Sequence, residues 1–335
     1  MKVAVIFGGS SEERDVSIAS GLEVISAMRT RGHDVIAVDT ARGLLSADAE
    51  RALKGFKVLE KHPSSTDLEE VRSRPPVAVA NTPELKDVDI VFIALHGGTG
   101  EDGTFQGFLE VSGIPFTGSG RVASTIAMDK DISKRLMLAA SVPTPAWQMC
   151  SLDDESIEVQ IGYPLIVKPN AQGSTIGLSL VRQRSELRAA VEKAGKFGHE
   201  IMLEAFVSGR EFTVGILDGN PLAVGEIVAP NEIFDYTSKY QRGGATEIFP
   251  AAISLEETRE IQDLAVRVHK ALKLSGYSRI DFRMDESGQF WCLEANTVPG
   301  LTPTSLLPQS AKAAGIEFSE LCERICLLGI KQHNC

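Results

Sequence analysis

The most informative stretch of the sequence runs from residue 279 to residue 296 and consists of RIDFRM (279–284), DESG (285–288) and QFWCLEAN (289–296). Two strand-like runs around a short polar turn with a glycine predict a β-hairpin. If the hairpin closes across residues 284 and 289, Arg279 lies opposite Glu294 and Asp281 lies opposite Cys292. Because side chains alternate between the faces of a strand, one face then carries Arg279, Asp281, Glu294 and Asn296. The other, predicted core face carries Ile280, Phe282, Trp291, Leu293 and Ala295.

The polar face of this hairpin has two interpretations. Two carboxylates and an amide are oxygen donors, and they suit a hard cation such as Mg²⁺ that keeps water or phosphate ligands. The alternative is a solvated sheet face with a cross-strand Arg279–Glu294 pair. The segment TVPG (297–300) that follows favours a site, because Gly300 can bring a backbone N–H close to a reacting atom.

Composition narrows the class of protein. Hydrophobic residues make up 43% of the chain and charged residues 24%, which is ordinary globular usage and argues against disorder, collagen and coiled coil. At about 150 residues per domain, the length predicts two domains or three small ones. The net charge is −11, from 34 Lys+Arg and 45 Asp+Glu, whereas nucleic-acid and anionic-membrane binders need a positive surface. A small anionic ligand in a local cleft is compatible with this charge.

The sequence predicts neither export nor membrane insertion. Residues 90–95 are among the longest apolar runs, far short of the about 18–20 residues of a membrane-spanning helix. The chain opens with one lysine and a strand-like run (3–7), without the charged leader and apolar core of a signal peptide. We expect a cytoplasmic protein whose scattered, odd-numbered cysteines are reduced and pack in apolar settings: Cys150, Cys292, Cys322, Cys326 and Cys335.

Strand-like and helix-like segments alternate along the first 120 residues. Strands are predicted over 3–7, 34–38 and 90–95, and helices around 18–28, where apolar residues recur at helical spacing, and around 105–111. The polar, proline-containing stretch 40–85 is expected to lie at the periphery. This alternation is typical of an α/β fold, a parallel sheet with helices on both faces.

Beyond residue 120 the predicted elements are mixed. We expect helices over 122–140, 185–194, 255–274 and 318–328. We expect strands over 163–167, 176–181, 201–206, 211–216, 278–284 and 290–296, with 201–206 paired to 211–216. Residues 227–244 are polar and carry tyrosines, which is typical of an active-site loop.

Glycine-rich connections follow four strand-like runs, at residues 8–11, 96–103, 118–120 and 173–177. None matches the dinucleotide-binding pattern GxGxxG in its strand–helix setting, and none matches the P-loop, so both sites are disfavoured. The connection GSTIG (173–177) differs because Lys168 ends the strand before it. A lysine beside a hydroxyl-bearing backbone loop suits a polyphosphate.

Two further side chains have competing interpretations. Glu13, with Glu12, either caps a helix start or faces the cleft at the strand ends and holds a substrate ammonium. His96 is either a catalytic base or simply the end of a strand. No serine or cysteine partner is in view, so we favour a positioning role for His96 over nucleophilic catalysis.

Seven motifs in collinear order resemble the D-alanine–D-alanine ligase family of the ATP-grasp superfamily. They lie at 8–17, at 95–97 with 100–103, at 128–130, at 168–169 with 173–177, at 234–240, at 279–281 and at 294–302. The resemblance implies an ATP-grasp architecture with an N-terminal α/β subdomain over 1–120, a central subdomain over 121–207 and a C-terminal α+β subdomain over 208–335. It implies a cytoplasmic, homodimeric enzyme that uses ATP to join two D-alanines through a D-alanyl phosphate, for peptidoglycan precursor synthesis.

The resemblance also implies a role for each matching residue. Contacts to ATP would come from Lys130, Lys168, Ser174, Thr175, Glu204, Ala205, Phe206, Val207, Glu211 and Lys239, of which 204–207 line the adenine pocket and Glu211 binds the ribose. Two ions of Mg²⁺ or Mn²⁺ would be held by Asp281, Glu294 and Asn296. Substrate binding would involve Glu13, Val16, Ser17, His96, Ser305 and Leu306, the last two at the carboxylate of the second substrate. Tyr240 and Ser174 would close over the substrate with Glu13, while Arg279 and the Gly300 N–H would hold the oxyanion.

Several positions depart from the family pattern. Gln172 stands where Glu is common, Thr175 where Ser is usual, and Ala205 interrupts the adenine segment. These departures bear on fine specificity rather than on reaction class. Tyr240 resembles ligases that use D-alanine more than those that use D-lactate. The alternatives are a paralogue that joins D-Ala to another D-amino or hydroxy acid, another ATP-grasp carboxylate–amine ligase, and a nucleotide-binding protein without turnover.

Overall fold

A computed structural model describes residues 1–53, 55, 56, 58, 68, 83–154, 157–229 and 244–333. The strands in this part of the chain are β1 (Lys2–Phe7), β2 (Asp34–Asp39), β3 (Gly43–Leu44), β4 (Ile90–Ile93), β5 (Trp147–Ser151), β6 (Leu165–Pro169), β7 (Ser179–Val181), β8 (Glu200–Ala205), β9 (Arg210–Leu217), β10 (Asn220–Val228), β11 (Thr246–Ile248), β12 (Tyr277–Met284) and β13 (Phe290–Asn296). The α-helices are α1 (Arg14–Thr30), α2 (Ala47–Ala52), α3 (Thr104–Ser112), α4 (Arg121–Met128), α5 (Lys130–Ala139), α6 (Arg184–Gly195), α7 (Leu255–Ala271), α8 (Leu306–Ala313) and α9 (Phe318–His333).

The N-terminal sheet has the strand order β3-β2-β1-β4, and β1 runs parallel to both β2 and β4. Strand β1 is buried on both faces, as expected of a continuous apolar run inside a covered parallel sheet. Helices α1 and α9 cover one face, and α3 covers the other. The thiols of Cys322 and Cys326 lie in this core, where burial raises the pKa of both. The α/β expectation for this part of the chain is confirmed.

Two antiparallel sheets follow. The central sheet has the order β5-β8-β6-β7 and packs against α6. The C-terminal sheet has the order β11-β10-β9-β12-β13, and its core includes residues of α4, α5 and α7. No helix in the described ranges combines the length and the apolar character needed to cross a membrane.

The predicted register of the β12–β13 hairpin is wrong. Met284 pairs with Phe290 rather than with residue 289, which shifts the register by one residue. A β-bulge after Asp281, with Leu293 as the extra residue, shifts it by one more, so Asp281 pairs with Glu294 and Arg279 with Asn296. The bulge turns both Leu293 and Glu294 toward the cavity described below. Trp291 is also absent from the core, since its indole N–H donates to Asp285 (2.8 Å). The core face therefore consists of Ile280, Phe282, Met284, Phe290, Cys292 and Ala295.

Three other predicted elements need correction. The predicted helix 122–140 is two helices, because Asp129 is extended and its carboxylate caps α5 by accepting the Ile132 N–H (3.0 Å). Strands β8 and β9 do not pair with each other: β8 lies between β5 and β6, whereas β9 lies between β10 and β12. The short connection 206–209 therefore passes from one sheet to the other.

The predicted bounds of the strands on either side of the glycine-rich loop 173–177, and of the predicted active-site loop 227–244, also differ from those observed. Strand β6 starts and ends two residues later than expected, and β7 is confined to three residues because 173–178 form a turn before it. Ile227 and Val228 end strand β10 rather than beginning a loop. Most of the predicted loop lies outside the described residues, which stop at 229 and resume at 244.

Candidate active site

A cavity of about 1130 Å³ lies among the central sheet, the C-terminal sheet and one side of α1. Its size exceeds the typical volume of a drug-sized ligand site and allows for more than one ligand. The structure brings most of the sequence-predicted residues to its wall: Glu13, Val16, His96, Lys130, Lys168, Ser174, Thr175, Glu204, Ala205, Phe206, Val207, Glu211, Arg279, Asp281, Glu294, Asn296, Gly300, Ser305 and Leu306.

Two lysines enter this cavity from different elements. Lys168 projects from β6, and its Nζ is 2.7 Å from Glu204 Oε2 on the neighbouring strand β8. Lys130, the first residue of α5, donates to the Gln172 carbonyl (2.6 Å) and lies 3.3 Å from Glu294 Oε2. Both ammonium groups line the same cavity as the 173–177 loop. This arrangement suits a polyphosphate.

Lys134 completes a buried charge cluster that the sequence interpretation missed. Its side chain is almost wholly buried, with Nζ 2.6 Å from Glu204 Oε1 and 2.6 Å from Thr144 Oγ1. Burial alone would raise the pKa of the Glu204 carboxyl, but Lys134 and Lys168 lower it. Glu204 is therefore a carboxylate held between two lysines. The spacing of Lys130 and Lys134, four residues apart on one helix face, was the available signal.

Asp281 and Glu294 face each other across β12 and β13, and Asn296 follows on the same side. Asp281 accepts hydrogen bonds from Thr213 Oγ1 (2.7 Å) and Asn296 Nδ2 (2.9 Å). Within the described residues, no group of three His, Cys, Asp or Glu side chains can hold a metal by itself. Two carboxylates and an amide are hard oxygen donors, and they fit a cation such as Mg²⁺ that takes its other ligands from phosphate and water.

Arg279 is fixed by the same acidic group. Its Nε and one terminal nitrogen donate to Asp281 Oδ1 (2.9 Å) and Oδ2 (2.8 Å), a two-bond arrangement that orients the guanidinium. Gly300 lines the cavity as well, and a Cβ there would lie 2.9 Å from Ser305 Oγ. A guanidinium and a backbone N–H can together stabilise negative charge that develops on a reacting oxygen.

Glu13 turns its carboxylate into the cavity. It precedes α1 as the N-cap residue, but its side chain makes no capping hydrogen bond in the described structure, so Glu13 does not cap this helix through its carboxylate. Instead, the Ser174 hydroxyl donates to Glu13 Oε1. Gly97 has φ +68°, and a Cβ there would lie 2.6 Å from Glu13 Oε2. Glycine is therefore required at position 97 to leave room for the Glu13 carboxylate.

His96 is buried and both of its ring nitrogens have partners. Nδ1 is 2.9 Å from the Val298 carbonyl, and Nε2 is 2.8 Å from Ser20 Oγ. Glu101 lies nearby, with Oε1 3.7 Å from Nδ1, and burial raises the pKa of this carboxyl although the His96 contact opposes the shift. A ring that is hydrogen-bonded on both sides favours positioning over proton transfer. Sequence interpretation missed Ser20, because the spacing of apolar residues along α1 left it unmarked.

The far end of the cavity contains the start of α8. Ser305 is its N-cap and Leu306 its first residue, so backbone N–H groups suited to a carboxylate lie there. Glu247 of β11, which no sequence pattern marked, also lines the cavity and accepts a hydrogen bond from Gln309. Burial raises the pKa of Glu247 although Gln309 and Arg279 oppose the shift.

Three predicted residues are not part of the observed wall. Lys239 and Tyr240 lie outside the described residues. Ser17 is fully buried behind the wall, where its Oγ accepts the Gly8 N–H (2.8 Å) and donates to the Ala94 carbonyl. The Ser17 hydroxyl thus joins α1 to the ends of β1 and β4.

Comparisons with known proteins agree over nearly the whole chain. The family model described as D-ala D-ala ligase N-terminus matches residues 2–119, and the model described as D-ala D-ala ligase C-terminus matches residues 137–327. The D-alanine–D-alanine ligase of Pediococcus pentosaceus is 38% identical over 98% of this chain and 97% of its own length. The D-alanine–D-alanine ligase of Bordetella petrii is 40% identical over 97% of this chain and 90% of its own.

Two solved structures are similar in fold and sequence. The D-alanine–D-alanine ligase from Bacillus anthracis complexed with ATP has a TM-score of 0.77 and 31% identity, covering 100% of this chain and 99% of that chain. The VanG D-Ala:D-Ser ligase from Enterococcus faecalis has a TM-score of 0.80 and 32% identity, covering 98% of this chain and 99% of that chain.

Proposed function

The chain belongs to the D-alanine–D-alanine ligase family, and from that premise we propose that it uses ATP to join two D-alanine molecules into D-alanyl-D-alanine for peptidoglycan precursors. The observation that carries this proposal is the shared cavity. A two-lysine phosphate site, a two-carboxylate metal set and the Glu13 carboxylate all open into it. These are the groups that an ATP-dependent carboxylate–amine ligation requires.

The reaction begins with activation of the first D-alanine. A carboxylate is a poor electrophile, so one of its oxygens attacks the γ-phosphorus of ATP, which forms a D-alanyl phosphate and releases ADP. Lys130, Lys168, Ser174, Thr175 and Lys239 would hold the phosphates, with the adenine against residues 204–207 and the ribose at Glu211. Asp281, Glu294 and Asn296 would hold two ions of Mg²⁺ or Mn²⁺, which would neutralise charge on the phosphates. The protein contributes mainly positioning and electrostatic stabilisation.

The second step forms the amide bond. The neutral amine of the second D-alanine attacks the acyl carbonyl carbon, the tetrahedral oxyanion collapses, and inorganic phosphate leaves with the proton that the nitrogen loses. Arg279 and the Gly300 N–H stabilise the oxyanion, and Ser305 and Leu306 bind the carboxylate of the second substrate. Glu13 binds the ammonium of the first D-alanine, with Val16 and His96 around it, and Ser17 supports this wall from behind. Ser174 and Tyr240 then close the site and shield the acyl phosphate from water.

We extend the proposal to the organisation of the molecule. Three separate sheets support subdomains over 1–120, 121–207 and 208–335, with ATP between the second and third. We propose that the enzyme works in the cytoplasm as a homodimer, as its family resemblance implies. The described cysteines support this compartment, since Cys150, Cys292, Cys322 and Cys326 are all free thiols.

Phosphate release in the presence of ATP and Mg²⁺, over a panel of D- and L-amino acids and D-lactate, tests the proposed reaction. We expect D-alanine to stimulate release and L-alanine to give none, with D-alanyl-D-alanine identified by mass spectrometry. Tight ATP binding without phosphate release on any member of the panel would instead indicate a nucleotide-binding protein without turnover.

A second candidate function is ligation of D-alanine to another D-amino or hydroxy acid. The similarity to a D-Ala:D-Ser ligase supports considering it. Equal concentrations of D-alanine and D-serine, or of D-alanine and D-lactate, should give D-alanyl-D-alanine as the main product if the first proposal holds. A predominance of the mixed product would favour the second candidate.

A further inference from the structure

Behind the proposed oxyanion site, a short chain of hydrogen bonds connects α1 and residue 96 to the 298–301 loop. The Leu301 N–H donates to Ser20 Oγ (3.2 Å), Ser20 Oγ is 2.8 Å from His96 Nε2, and His96 Nδ1 is 2.9 Å from the Val298 carbonyl. Ser20 is fully buried and His96 is 3% exposed. Because water hardly reaches these groups, their mutual hydrogen bonds determine their positions.

The two ends of this chain lie on either side of one residue. Val298 precedes Gly300 by two positions, and Leu301 follows it directly. One backbone carbonyl before Gly300 and one backbone N–H after it are thus tied to the same Ser20–His96 pair. The loop that carries Gly300 is held against α1 and the end of β4 from both sides.

Hydrogen-bonding chemistry fixes the direction of the bonds at the two backbone ends of this chain. The Val298 carbonyl can only accept, so His96 Nδ1 must donate to it. The Leu301 N–H can only donate, so Ser20 Oγ accepts there. With a proton on Nδ1, the His96 ring connects the Ser20 hydroxyl to the Val298 carbonyl and acts as a rigid spacer between serine and backbone.

We propose that Ser20 is a positioning residue that acts through His96 and the 298–301 loop to aim the Gly300 N–H at the reacting oxygen. This inference rests on the proposed function, which places Gly300 at the oxyanion. Ser20 lines no part of the cavity wall, so its effect on the reaction passes through the residues that it holds. Small misplacements of a group at the reacting centre can lower rates by about 100-fold.

Ser20→Ala breaks the chain at its centre. We expect turnover to fall by about 10- to 100-fold, while KM for ATP and direct ATP binding change by less than about twofold, because the phosphate and adenine sites are on other elements. Ser124→Ala is the matched control: Ser124 is another fully buried helical serine, and its hydroxyl donates to the Ser119 carbonyl (3.3 Å) away from the cavity. Its turnover should stay within about twofold of the wild type.

A double-mutant cycle separates a connected chain from two independent contacts. His96→Asn can keep a donor near the Val298 carbonyl but cannot reach Ser20. Because Ser20→Ala and His96→Asn interrupt the same link, the double variant should lose little more turnover than the more damaged single variant. Ser20→Thr, which keeps the hydroxyl, should restore turnover. If Ser20→Ala does not fold, as judged by thermal unfolding, Ser20→Cys, whose thiol is a much weaker hydrogen-bonding group of similar size, should show the fall in turnover with ATP binding retained.

The possible outcomes distinguish a failure of the positioning role of Ser20 from a failure of the proposed function on which it rests. A wild-type enzyme without D-alanine-dependent phosphate release would overturn the proposed function. An active wild type in which Ser20→Ala behaves like Ser124→Ala, or in which the losses from Ser20→Ala and His96→Asn multiply, would overturn the positioning role alone.

Discussion

Arg279→Ala tests the chemistry assigned to the polar face of β12 and β13. The guanidinium lines the cavity together with Gly300 and holds Asp281 through bonds of 2.8 and 2.9 Å. In the proposed reaction it also faces the oxyanion that forms when the amine attacks. Its removal should therefore affect the transition state more strongly than the binding of ATP.

The expected magnitude follows from the loss of one oxyanion partner. Such a loss costs about 3 kcal/mol, and about 1.4 kcal/mol corresponds to a tenfold change in rate, so turnover should fall by roughly 150-fold. The loss of the two Arg279 bonds to Asp281 acts in the same direction, because it weakens the orientation of that carboxylate, although its bonds to Thr213 and Asn296 remain. Arg279→Lys keeps the charge without the two-bond geometry and should fall between the wild type and the alanine variant.

Arg283→Ala provides the control on the same strand. Arg283 also lines the cavity, but its guanidinium lies 5.2 Å from the Phe206 ring and donates to the Gly209 carbonyl (3.0 Å). Because Phe206 is in the proposed adenine segment, Arg283→Ala should raise KM for ATP by a few-fold, about the value of one exposed cation–π contact, with turnover nearly unchanged.

Phosphate release at saturating ATP and D-alanine measures both variants, with thermal unfolding to verify that they fold. Turnover of Arg279→Ala within about threefold of the wild type would refute the oxyanion role, given the roughly 150-fold loss expected. Equal turnover losses in Arg279→Ala and Arg283→Ala would also refute it, because the effect would then come from any lost cavity arginine.

Three further predictions concern the other parts of the cavity. Asp281→Asn should raise the Mg²⁺ concentration needed for half-maximal phosphate release, because one of two ligand charges is lost, and an unchanged Mg²⁺ titration would exclude Asp281 as a ligand. The pKa of Glu204 is lowered on folding, so its contribution to the free energy of unfolding is present above its unfolded pKa of about 4.3 and is lost as pH falls through its folded pKa. In urea unfolding, the stability difference between wild type and Glu204→Gln should therefore be constant above about pH 5 and shrink below about pH 4, and a pH-independent difference would contradict the charged assignment. Gly97→Ala should displace the Glu13 carboxylate and raise KM for D-alanine without weakening ATP binding; an unchanged KM would argue against Glu13 as the ammonium site.

The elements that could be predicted from the sequence are those whose side-chain pattern is set by burial alone. The apolar run of β1 and the helical spacing along α1 need no long-range information, because a covered strand and a one-sided helix each leave a regular pattern. The β12–β13 register was not predictable in this way. The bulge at Leu293 changes which backbone groups pair, and a pattern of alternating side chains does not show where one extra residue is inserted.

The prediction that β8 pairs with β9 was wrong for a related reason. Strands that follow each other in sequence usually pair, so β8 and β9 were expected to be neighbours. Instead the connection 206–209 crosses between sheets, and Gly209 at φ +126° has a Cβ position only 2.1 Å from the Met284 carbonyl oxygen, so only glycine fits there. The unexpected crossing has a functional consequence, since the residues that leave β8 form one wall of the cavity.

Within the site, sequence patterns identified the residues that line the cavity more readily than the buried residues that fix their positions. Gly300 and Glu13 lie in connections that follow strands, and Asp281 lies on the polar face of a hairpin strand, where short motifs are visible. Lys134 and Ser20 instead lie inside helices, where a polar residue in an amphipathic pattern is easily assigned to the solvent side. Each is fully buried with specific partners, and a buried polar group without partners would be costly. Through Glu204, Lys134 is connected to Lys168, which belongs to the proposed phosphate site. Ser20 is connected to the loop that carries Gly300. Further residues that affect the proposed reaction should therefore be sought among the buried polar residues behind the cavity wall.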